Sequence, residues 1–500
     1  MPIQRRPLIQ LLAAAGLAPS APLALAQSRR KDSAVLGMVL EPPGLDPTVA
    51  AAAAIGEVVH YNIFEGLTRI TVDGSVVPLL AESWQATPDG KVYTFKLRGG
   101  VSFSDGSPLD AETVKFSFDR ARAPGSTNKA KKAVWDNVAS VTAHDARTVI
   151  LSLNNADASL PFRLGENTAV ILHPKTAAQA ATQPVGTGPY KLESWNKGSA
   201  ITLAKWDGHR DAARARLKRV TFRFINDAAA QVAALLAGDI DGMPRFGALQ
   251  ALGQLRADAR FAVEIGSTAG KGLLAINNRK KPLDDVRVRR AIAHAVDRKA
   301  FIDGAQEGLG RPIGSHFAPT DAGYVDLTSR YPHDPERAKA LLREAGVTTP
   351  LNLTLTLPPP TYARKGGEII AAQLAKVGIV AKIENVEWAQ WLSGPFKGNF
   401  DLTIINHVEP LDYATAYADP NYYFGYDNAA FRKRVADLAA TSSAKEKQRL
   451  WREIQQQLAD DAVNAWIWNA AQVAVARKGL KGLWSSSPIF ANDLAALSWT

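Results

Sequence analysis

The chain has 500 residues, 46% of them hydrophobic, and a formal net charge of +11 at neutral pH. It contains no cysteine, which excludes disulfides and a lipid-modified cysteine, although a chain of this length can bury a large core without them. Its lysines and arginines are interspersed with acids, so the positive charge indicates a solvated surface rather than one that binds nucleic acid.

Residues 1–26 predict an export signal. Arg5 and Arg6 form a short positive region, residues 8–25 are mostly Leu and Ala, and Ala24-Leu25-Ala26 has the small-x-small pattern of a cleavage site. The paired arginines also resemble a twin-arginine signal. No later apolar run approaches the ~18 residues of a membrane-spanning helix. We therefore expect a soluble, monomeric periplasmic protein.

The elements that follow begin with a strand. Tyr93, Phe95 and Leu97 alternate with polar residues, which predicts a half-buried strand. Asp110 is placed to cap a helix that continues through Phe118.

The second half of the chain alternates helices and strands. An apolar stripe predicts one helix from about Asp285 to Ile302, with Gly304 beyond its end. Asp334, followed by a proline, predicts the start of another helix, which Gly346 ends.

Further along, the pattern over 351–383 predicts strand, helix and strand, as in a βαβ unit with parallel strands. Helices over about 428–440 and 444–461 precede strands over 463–468 and 472–476. The bulk of the chain is therefore expected to be α/β, in more than one lobe on length alone.

Signatures of an exported hydrolase, the rival class of function, are missing from the sequence. There is no G-x-S-x-G nucleophile motif and no H-E-x-x-H zinc motif. The eight histidines are scattered singly, without partners at metal-ligand spacing. We therefore expect a protein that is not an enzyme and that has no catalytic residues, metal ligands or cofactor.

The most specific pattern lies at 81–122 and reads AESWQATPDGKVYTFKLRGGVSFSDGSPLDAETVKFSFDRAR. Its SW, YTFKLR, F-x-DG and KFSFDR elements, in this order, resemble the signature block of the family 5 extracellular solute-binding proteins. That family includes oligopeptide, dipeptide, glutathione and nickel-complex binders. Further matches occur in family order and span nearly the whole chain after the signal: EPPGLDP at 41–47, PVGTGPYKLESW at 184–195, AINNRKKPLDDVRVRRAIAHAVDR at 275–298, DPERAKALLREAG at 334–346 and FDLTII at 400–405.

The resemblance implies a two-lobed α/β binding protein with a hinge and an extra subdomain on the first lobe. Lobe I would comprise residues 27–60, 184–268 and 474–500, the extra subdomain 61–183, and lobe II 269–473. Two strand crossings, near 266–274 and 470–476, would form the hinge. The ligand would lie between the lobes, where closure excludes water and strengthens polar contacts.

The family's ligand-facing segments in lobe II correspond to 385–392, NVEWAQWL, and 404–426, IINHVEPLDYATAYADPNYYFGY. These segments are rich in aromatic rings, which offer flat faces, and in acids, which could bind a cation. The candidate ligand-binding residues are Glu409, Trp388, Asp412, Tyr413, Asn406, His407, Tyr417, Asp419, Tyr423 and Trp391.

The same segments depart from the pattern of peptide-binding members. These members carry a tryptophan and, three residues later, an aspartate for the peptide's α-amino group, and here His407 and Pro410 stand at those places. Dipeptide members also place an arginine for the ligand's carboxylate near the position of Trp388 or Trp391. A longer or modified peptide, an amino-acid conjugate or a cationic metabolite therefore fits better than a free dipeptide.

The resemblance implies the periplasmic component of an ABC importer, which captures a peptide or peptide-like solute and delivers it to a membrane permease and its ATPase subunits. A binder of a metal chelate such as a nickel complex is one alternative, because His407 lies in the ligand-facing segment. An exported hydrolase and a chemosensory receptor are alternatives of a different class.

Overall fold

The structure is a computed structural model that describes residues 31–50, 52–441 and 443–500. The export signal predicted for residues 1–26 lies outside the described residues. In the described part of the chain, no helix is both long enough and apolar enough to cross a membrane.

The strands are, in chain order, β1 (Ser33–Met38), β2 (Thr68–Ile70), β3 (Val76–Pro78), β4 (Ala81–Ala86), β5 (Val92–Leu97), β6 (Val138–Asp145), β7 (Thr148–Leu153), β8 (Tyr190–Asn196), β9 (Ala200–Lys205), β10 (Arg219–Phe224), β11 (Gly242–Met243), β12 (Phe261–Ser267), β13 (Lys271–Ile276), β14 (Arg311–Pro312), β15 (Leu351–Leu357), β16 (Ile379–Asn385), β17 (Leu402–His407), β18 (Ala465–Asn469), β19 (Ala471–Arg477), β20 (Leu480–Lys481) and β21 (Ser498–Trp499).

The α-helices are α1 (Ala53–Val59), α2 (Ala111–Arg122), α3 (Leu160–Arg163), α4 (Ala228–Ala237), α5 (Leu252–Ala257), α6 (Val286–Ala295), α7 (Arg298–Ala305), α8 (Pro335–Glu344), α9 (Thr361–Ala375), α10 (Trp388–Ser393), α11 (Tyr413–Tyr417), α12 (Ala429–Ala440) and α13 (Ala444–Asp460).

Within the described residues, these strands form three larger sheets. A seven-stranded sheet has the order β12-β19-β11-β1-β10-β9-β8, a six-stranded sheet the order β14-β18-β13-β17-β15-β16, and a four-stranded sheet the order β4-β5-β7-β6. Below, lobe I, lobe II and the extra subdomain name the parts built around these sheets, in that order. The residue boundaries given for them above stay predictions.

The extra subdomain follows its local sequence closely. In β5 the side chains of Tyr93, Phe95 and Leu97 are buried and their neighbours are more exposed, which confirms the predicted strand. The Asp110 side chain accepts a hydrogen bond from the Thr113 N–H and caps α2, as the sequence predicts.

Lobe II contains the predicted βαβ unit. Strands β15 and β16 are parallel, with Leu351 opposite Ile379, and α9 connects them and packs on both. Asp334 caps α8 through the Arg337 N–H, and Gly346 takes a φ of 70° just past its end, as predicted. These predictions are confirmed because caps and strand alternation depend on residues that are close in sequence.

The helix predicted from Asp285 to Ile302 is wrong, because two helices occupy this stretch. Val296 has an extended backbone between α6 and α7, and the Asp297 side chain accepts from the Ala300 N–H to start α7. Gly304 lies inside α7 rather than beyond it, and a Cβ there would stand 2.6 Å from Ile369 Cδ1. The apolar stripe misled the prediction because both helices pack on one core.

Two crossings connect lobe I to lobe II. Strand β12 passes into β13 and β18 passes into β19, so each crossing joins the six-stranded to the seven-stranded sheet. The crossings are bonded to each other, since Thr268 Oγ1 donates to the Ala470 carbonyl at 2.9 Å. Asn469 Nδ2 donates at 2.7 Å to the carbonyls of Thr268 and Gly270.

Candidate functional site

A cavity of about 750 Å³ lies against the two crossings, between lobe I with its subdomain and lobe II. Lobe II contributes residues 406 and 408–410 to the wall, and the crossings contribute residues 268–270 and 470–473. The opposite wall is formed by residues of lobe I and of the extra subdomain, among them His60, Lys129, Arg163, Glu166, Arg245 and Phe490. This cavity is called the cleft below.

The lobe II wall is delivered by the end of β17. Strand β17 pairs with β13 so that His407 is opposite Lys271 and Asn406 is opposite Gly272. Because side chains alternate between the faces of a sheet, Asn406 and His407 point to opposite sides. Asn406 lines the cleft, whereas His407 is buried behind it.

The loop after β17 is held by a buried lysine. The side chain of Lys271 is 0% exposed, and its ammonium donates to the Glu409 carbonyl at 2.6 Å and lies 2.9 Å from Asp412 Oδ1. Leu411 takes a φ of 55°, a backbone conformation that residues other than glycine rarely adopt. The loop is therefore held in place on its buried side, and Glu409 is exposed at the cleft.

Asp412 is the centre of the network below this loop. Besides Lys271, its carboxylate accepts hydrogen bonds from His316 Nε2 at 3.0 Å and from His407 Nδ1 at 2.9 Å. Burial acts to raise the pKa of Asp412, but His316, Lys271 and the hydrogen bonds outweigh it, so the pKa lies well below its usual range. Burial lowers the pKa of His316 to about 4, although Asp412 opposes this shift.

Two tyrosines complete the network. The Tyr417 hydroxyl donates to His316 Nδ1 at 2.9 Å and accepts from Asn464 Nδ2 at 3.0 Å. The Tyr423 hydroxyl donates to His407 Nε2 at 2.9 Å. Each imidazole therefore gives its N–H to Asp412 and receives a tyrosine O–H, so all four ring nitrogens have a partner.

The donor set of His316, His407 and Asp412 is compact enough to be considered for a metal, with one ligand atom of each within 4.8 Å of the others. Its chemistry does not fit one. The Lys271 ammonium already neutralises Asp412, and a second cation beside it would be repelled. The free imidazole nitrogens needed for coordination are taken by tyrosine hydroxyls.

The ten predicted ligand-binding residues occupy three different places. Glu409 and Asn406 line the cleft. Asp412, His407, Tyr417 and Tyr423 form the buried network behind it, and the remaining four lie elsewhere: Tyr413, Trp391, Trp388 and Asp419. Whether each residue contacts a ligand stays a prediction.

The four remaining residues have partners outside the cleft. Tyr413 stacks on Phe317 with ring centroids 4.8 Å apart. Trp391 is buried and donates to Thr403 Oγ1 at 3.0 Å, and Trp388, 42% exposed, packs edge-on against it at 5.7 Å. Asp419 accepts from the Asn421 N–H in a surface turn.

The sequence analysis did not single out the opposite wall, where His60 follows the end of α1. The imidazole is 1% exposed and packs on the Tyr61 ring, with the centroids 3.9 Å apart and the planes tilted by 30°. Neither ring nitrogen has a partner in good hydrogen-bond geometry among the described residues; the nearby Gly165 carbonyl accepts from the Tyr61 hydroxyl at 3.0 Å. Burial, then the charge of Arg69, lower the pKa of His60 to about 3.

Arg245 and Lys129 carry the positive charge of the same wall. Arg245 lies 3.3 Å from Glu57 and donates to Ser487 Oγ at 2.9 Å, and its guanidinium stands over the Phe490 ring at 5.5 Å. Lys129 is exposed. Nothing in the sequence around Arg245 and Lys129 distinguishes them from other surface charges. His60 gives a weak signal, because it is a polar residue in a mainly apolar stretch.

Relatives are similar to this chain over nearly their whole length. The dipeptide-binding protein of Escherichia coli is 28% identical over 88% of this chain and 90% of its own. HbpA2 of Haemophilus parasuis has the same fold, with a TM-score of 0.84, 23% identity and coverage of 94% of this chain and 100% of its own.

A third similar protein is the ABC transporter-associated periplasmic binding protein DppA of Helicobacter pylori, in complex with the peptide STSA. It is 26% identical, with a TM-score of 0.73, and the match covers 93% of this chain and 98% of that one. Similarity of this extent confirms the two-lobed α/β fold that the sequence pattern implies.

The model of the bacterial extracellular solute-binding proteins, family 5 Middle, matches residues 75–431. Proteins of this family serve ABC importers and bind peptides, dipeptides or glutathione. This match contains the signature block at 81–122 and reaches the loop that delivers Glu409 to the cleft. The chain therefore belongs to family 5 of the bacterial extracellular solute-binding proteins.

Proposed function

We propose that this chain captures a peptide-like solute in the cleft between its lobes and delivers it to an ABC permease, without chemical turnover. The observation that carries the proposal is the cavity of about 750 Å³ at the two crossings. Its size and its largely apolar surface, with polar groups from both lobes, are those of a small-molecule site. In the described part of the chain two crossings join the lobes, so bending there would close them on a ligand.

Glu409 indicates that the solute carries a positively charged group. Its carboxylate forms no ion pair with the residues that the structure describes and faces the cleft. Closure would remove water from it, and a buried unpaired carboxylate is costly. A ligand ammonium or guanidinium would offset that loss, as the α-amino group of a peptide does.

The body of the solute would meet apolar surface. Val408 on lobe II and Phe490 on lobe I are 40% and 39% exposed, and both line the cleft. Apolar contact does not require one side-chain sequence, which suits a carrier of varied peptides. The peptide complex of the Helicobacter pylori relative supports the same class of ligand.

The alternatives find less support. A nickel chelate would need a free imidazole, and both nitrogens of His407 have other partners. A hydrolase would need an activated nucleophile, and the cleft hydroxyl of Ser487 donates to the Ile489 carbonyl and accepts from Arg245, without a base beside it. A chemosensory role would use the same ligand-bound form and is compatible with the site.

The proposal is tested on protein exported to the periplasm of the expression host. Ligand released by denaturation and identified by mass spectrometry should be a peptide or an amino-acid conjugate, in about one equivalent. N-terminal sequencing should begin at or near Gln27. Peptides incubated with the purified protein should be recovered unchanged, so repeated hydrolysis, or purification with a metal chelate instead, would overturn the proposal.

A further inference from the structure

Charge is divided between the two walls of the cleft. The lobe II wall carries one ionisable side chain, Glu409, whereas lobe I and its subdomain contribute Lys129, Arg163, Arg245 and Glu166. Arg163 lies 3.3 Å from Glu166 and donates to the Pro410 carbonyl at 3.2 Å, so this pair is internally compensated. Arg245 lies 3.3 Å from Glu57, so Lys129 is the cation of this wall that has no carboxylate partner among the described residues, and Glu409 lies on the other wall of the cleft.

The positive wall has unused hydrogen-bond donors. Arg245 Nη1 is buried without a hydrogen bond in the described part of the chain, because its ion pair with Glu57 at 3.3 Å is poorly aligned. Lys129 is exposed at the cleft and has no ion pair with any described residue. A ligand anion could accept from Lys129 without breaking an existing contact, whereas at Arg245 it would share the guanidinium with Glu57.

His60 is the strongest sign that a ligand belongs at this wall. A polar ring that is 1% exposed and lacks a well-formed hydrogen bond destabilises the ligand-free protein, since buried polar groups are almost always paired. The ring borders the cavity. The positive charges of Arg69 and Lys129 act on it and help to keep it uncharged, so it offers one N–H donor to an oxygen acceptor.

These observations rest on the proposed function and extend it to the orientation of the solute. We propose that Lys129, Arg245 and His60 form an anion subsite on lobe I, so that the cleft selects zwitterionic peptide-like solutes. The solute's carboxylate faces lobe I and its cationic group faces Glu409. Its two charges then bridge the lobes, and a solute that lacks either charge engages only one wall.

The test uses an equimolar library of two- to six-residue peptides in three forms: free, N-acetylated and C-amidated. The full-length mature protein is incubated with each form, and retained peptides are quantified by mass spectrometry after gel filtration. Because a charge-assisted hydrogen bond corresponds to about tenfold or more in affinity, free peptides should be retained at least about tenfold more than C-amidated ones.

Two variants test whether the lobe I wall causes the preference for free over C-amidated peptides. Lys129→Gln should reduce the ratio of free to amidated peptide by about threefold to tenfold, whereas Lys132→Gln, an exposed lysine of the same segment that does not line the cleft, should leave it unchanged. His60→Phe should lower the retention of free peptides while the ligand-free protein melts no earlier than the parent, because it removes a buried polar group that has no well-formed hydrogen bond.

Each contrary outcome has a distinct meaning. Equal retention of free and C-amidated peptides overturns the anion subsite and leaves the peptide-binding proposal standing. An unchanged ratio in both Lys129→Gln and His60→Phe overturns its location on lobe I. Retention of no peptide in any form overturns the proposed function itself.

Discussion

The segment 404–426 of lobe II and the lobe I wall around His60 differ in how their polar groups are used. The lobe II segment is dense in acids and aromatic rings, yet its buried acid is fully paired, since Asp412 accepts from Lys271, His316 and His407. Asn406 Oδ1, at the cleft, has no hydrogen bond among the described residues. On the lobe I wall, His60 and Arg245 Nη1 have no well-formed hydrogen bond among the described residues, although Arg245 Nη1 lies 3.3 Å from Glu57. Availability for a ligand thus follows from missing partners rather than from composition.

The two regions also differ in role: the buried network of lobe II holds a loop in place, whereas the exposed groups of the cleft would contact the ligand. The buried network fixes the loop, so that Glu409 is presented by a rigid base rather than by a free chain, and a preorganised group loses less entropy when it binds. On the lobe I wall, His60 itself has no well-formed hydrogen bond among the described residues. The predictions below either remove the support or remove the contact, and the two kinds of change should affect different measurements.

Acid should destabilise the ligand-free protein most, through the buried histidines of both regions. The pKa of His316 is lowered to about 4 and that of His60 to about 3 from 6.5, so both contribute full stability above pH 6.5 and lose it as the pH falls toward those values. The two histidines together should lower the free energy of unfolding in urea by about 5 kcal/mol between pH 7 and about pH 4.5. Asp321, whose pKa is raised to about 6 by burial, should offset about 2 kcal/mol of this loss, because its charge is removed from the folded protein over the same range.

A variant apportions this loss between the two regions. His60→Phe should remove about half of the histidine contribution, about 2.5 kcal/mol, and His144→Gln, at an exposed position, should remove none of it. If His60→Phe leaves the whole difference in place, the lobe II network alone accounts for the acid sensitivity.

Removing the buried ammonium should have the next largest effect. Lys271→Met leaves Asp412 buried without its counter-charge and releases the Glu409 carbonyl, which should lower the free energy of unfolding by about 3 to 5 kcal/mol. Lys280→Met removes an exposed lysine that pairs with Asp401 and should lower it by less than about 1 kcal/mol. Similar losses in the two variants would mean that the network does not support the loop.

Removing the charge of Glu409 should affect binding rather than stability. Glu409→Gln keeps the shape of the side chain, and the affinity for the best-retained free peptide should fall by about 1.5 to 3 kcal/mol in calorimetry. Its melting temperature without ligand should stay near that of the parent. Glu368→Gln, an exposed acid on α9, is the matched control, and equal affinities in the two variants would show that Glu409 does not bind the cationic group of the peptide.

Trp388→Ala should have the smallest effect. The ring packs on Trp391 outside the cleft wall, so the affinity for the same peptide should change by less than about 0.5 kcal/mol, with little dependence on salt. A loss of more than about 1 kcal/mol would show that Trp388 reaches the ligand when the lobes close, as the family's ligand-facing segment implies.

Sequence reasoning located one wall of the candidate site and not the other. The ligand-facing segment could be aligned with the family, and it contains Asn406 and Glu409, which line the cleft. The alternation of β17 could also have placed His407 on the face opposite Asn406. The positions of Lys129 and Arg245 could not be inferred, because they come from loops that meet only through the packing of lobe I and its subdomain.

The sequence by itself determined the family, the α/β class and the elements whose signals are local, such as the cap at Asp110 and the alternation in β5. Tertiary structure alone decided the burial of Asp412, whose partner His316 lies 96 residues away. It also decided that His60 has no well-formed hydrogen bond. A cap or a strand period depends on residues a few positions apart, whereas the pairing of a buried polar group depends on which distant segments the core brings together.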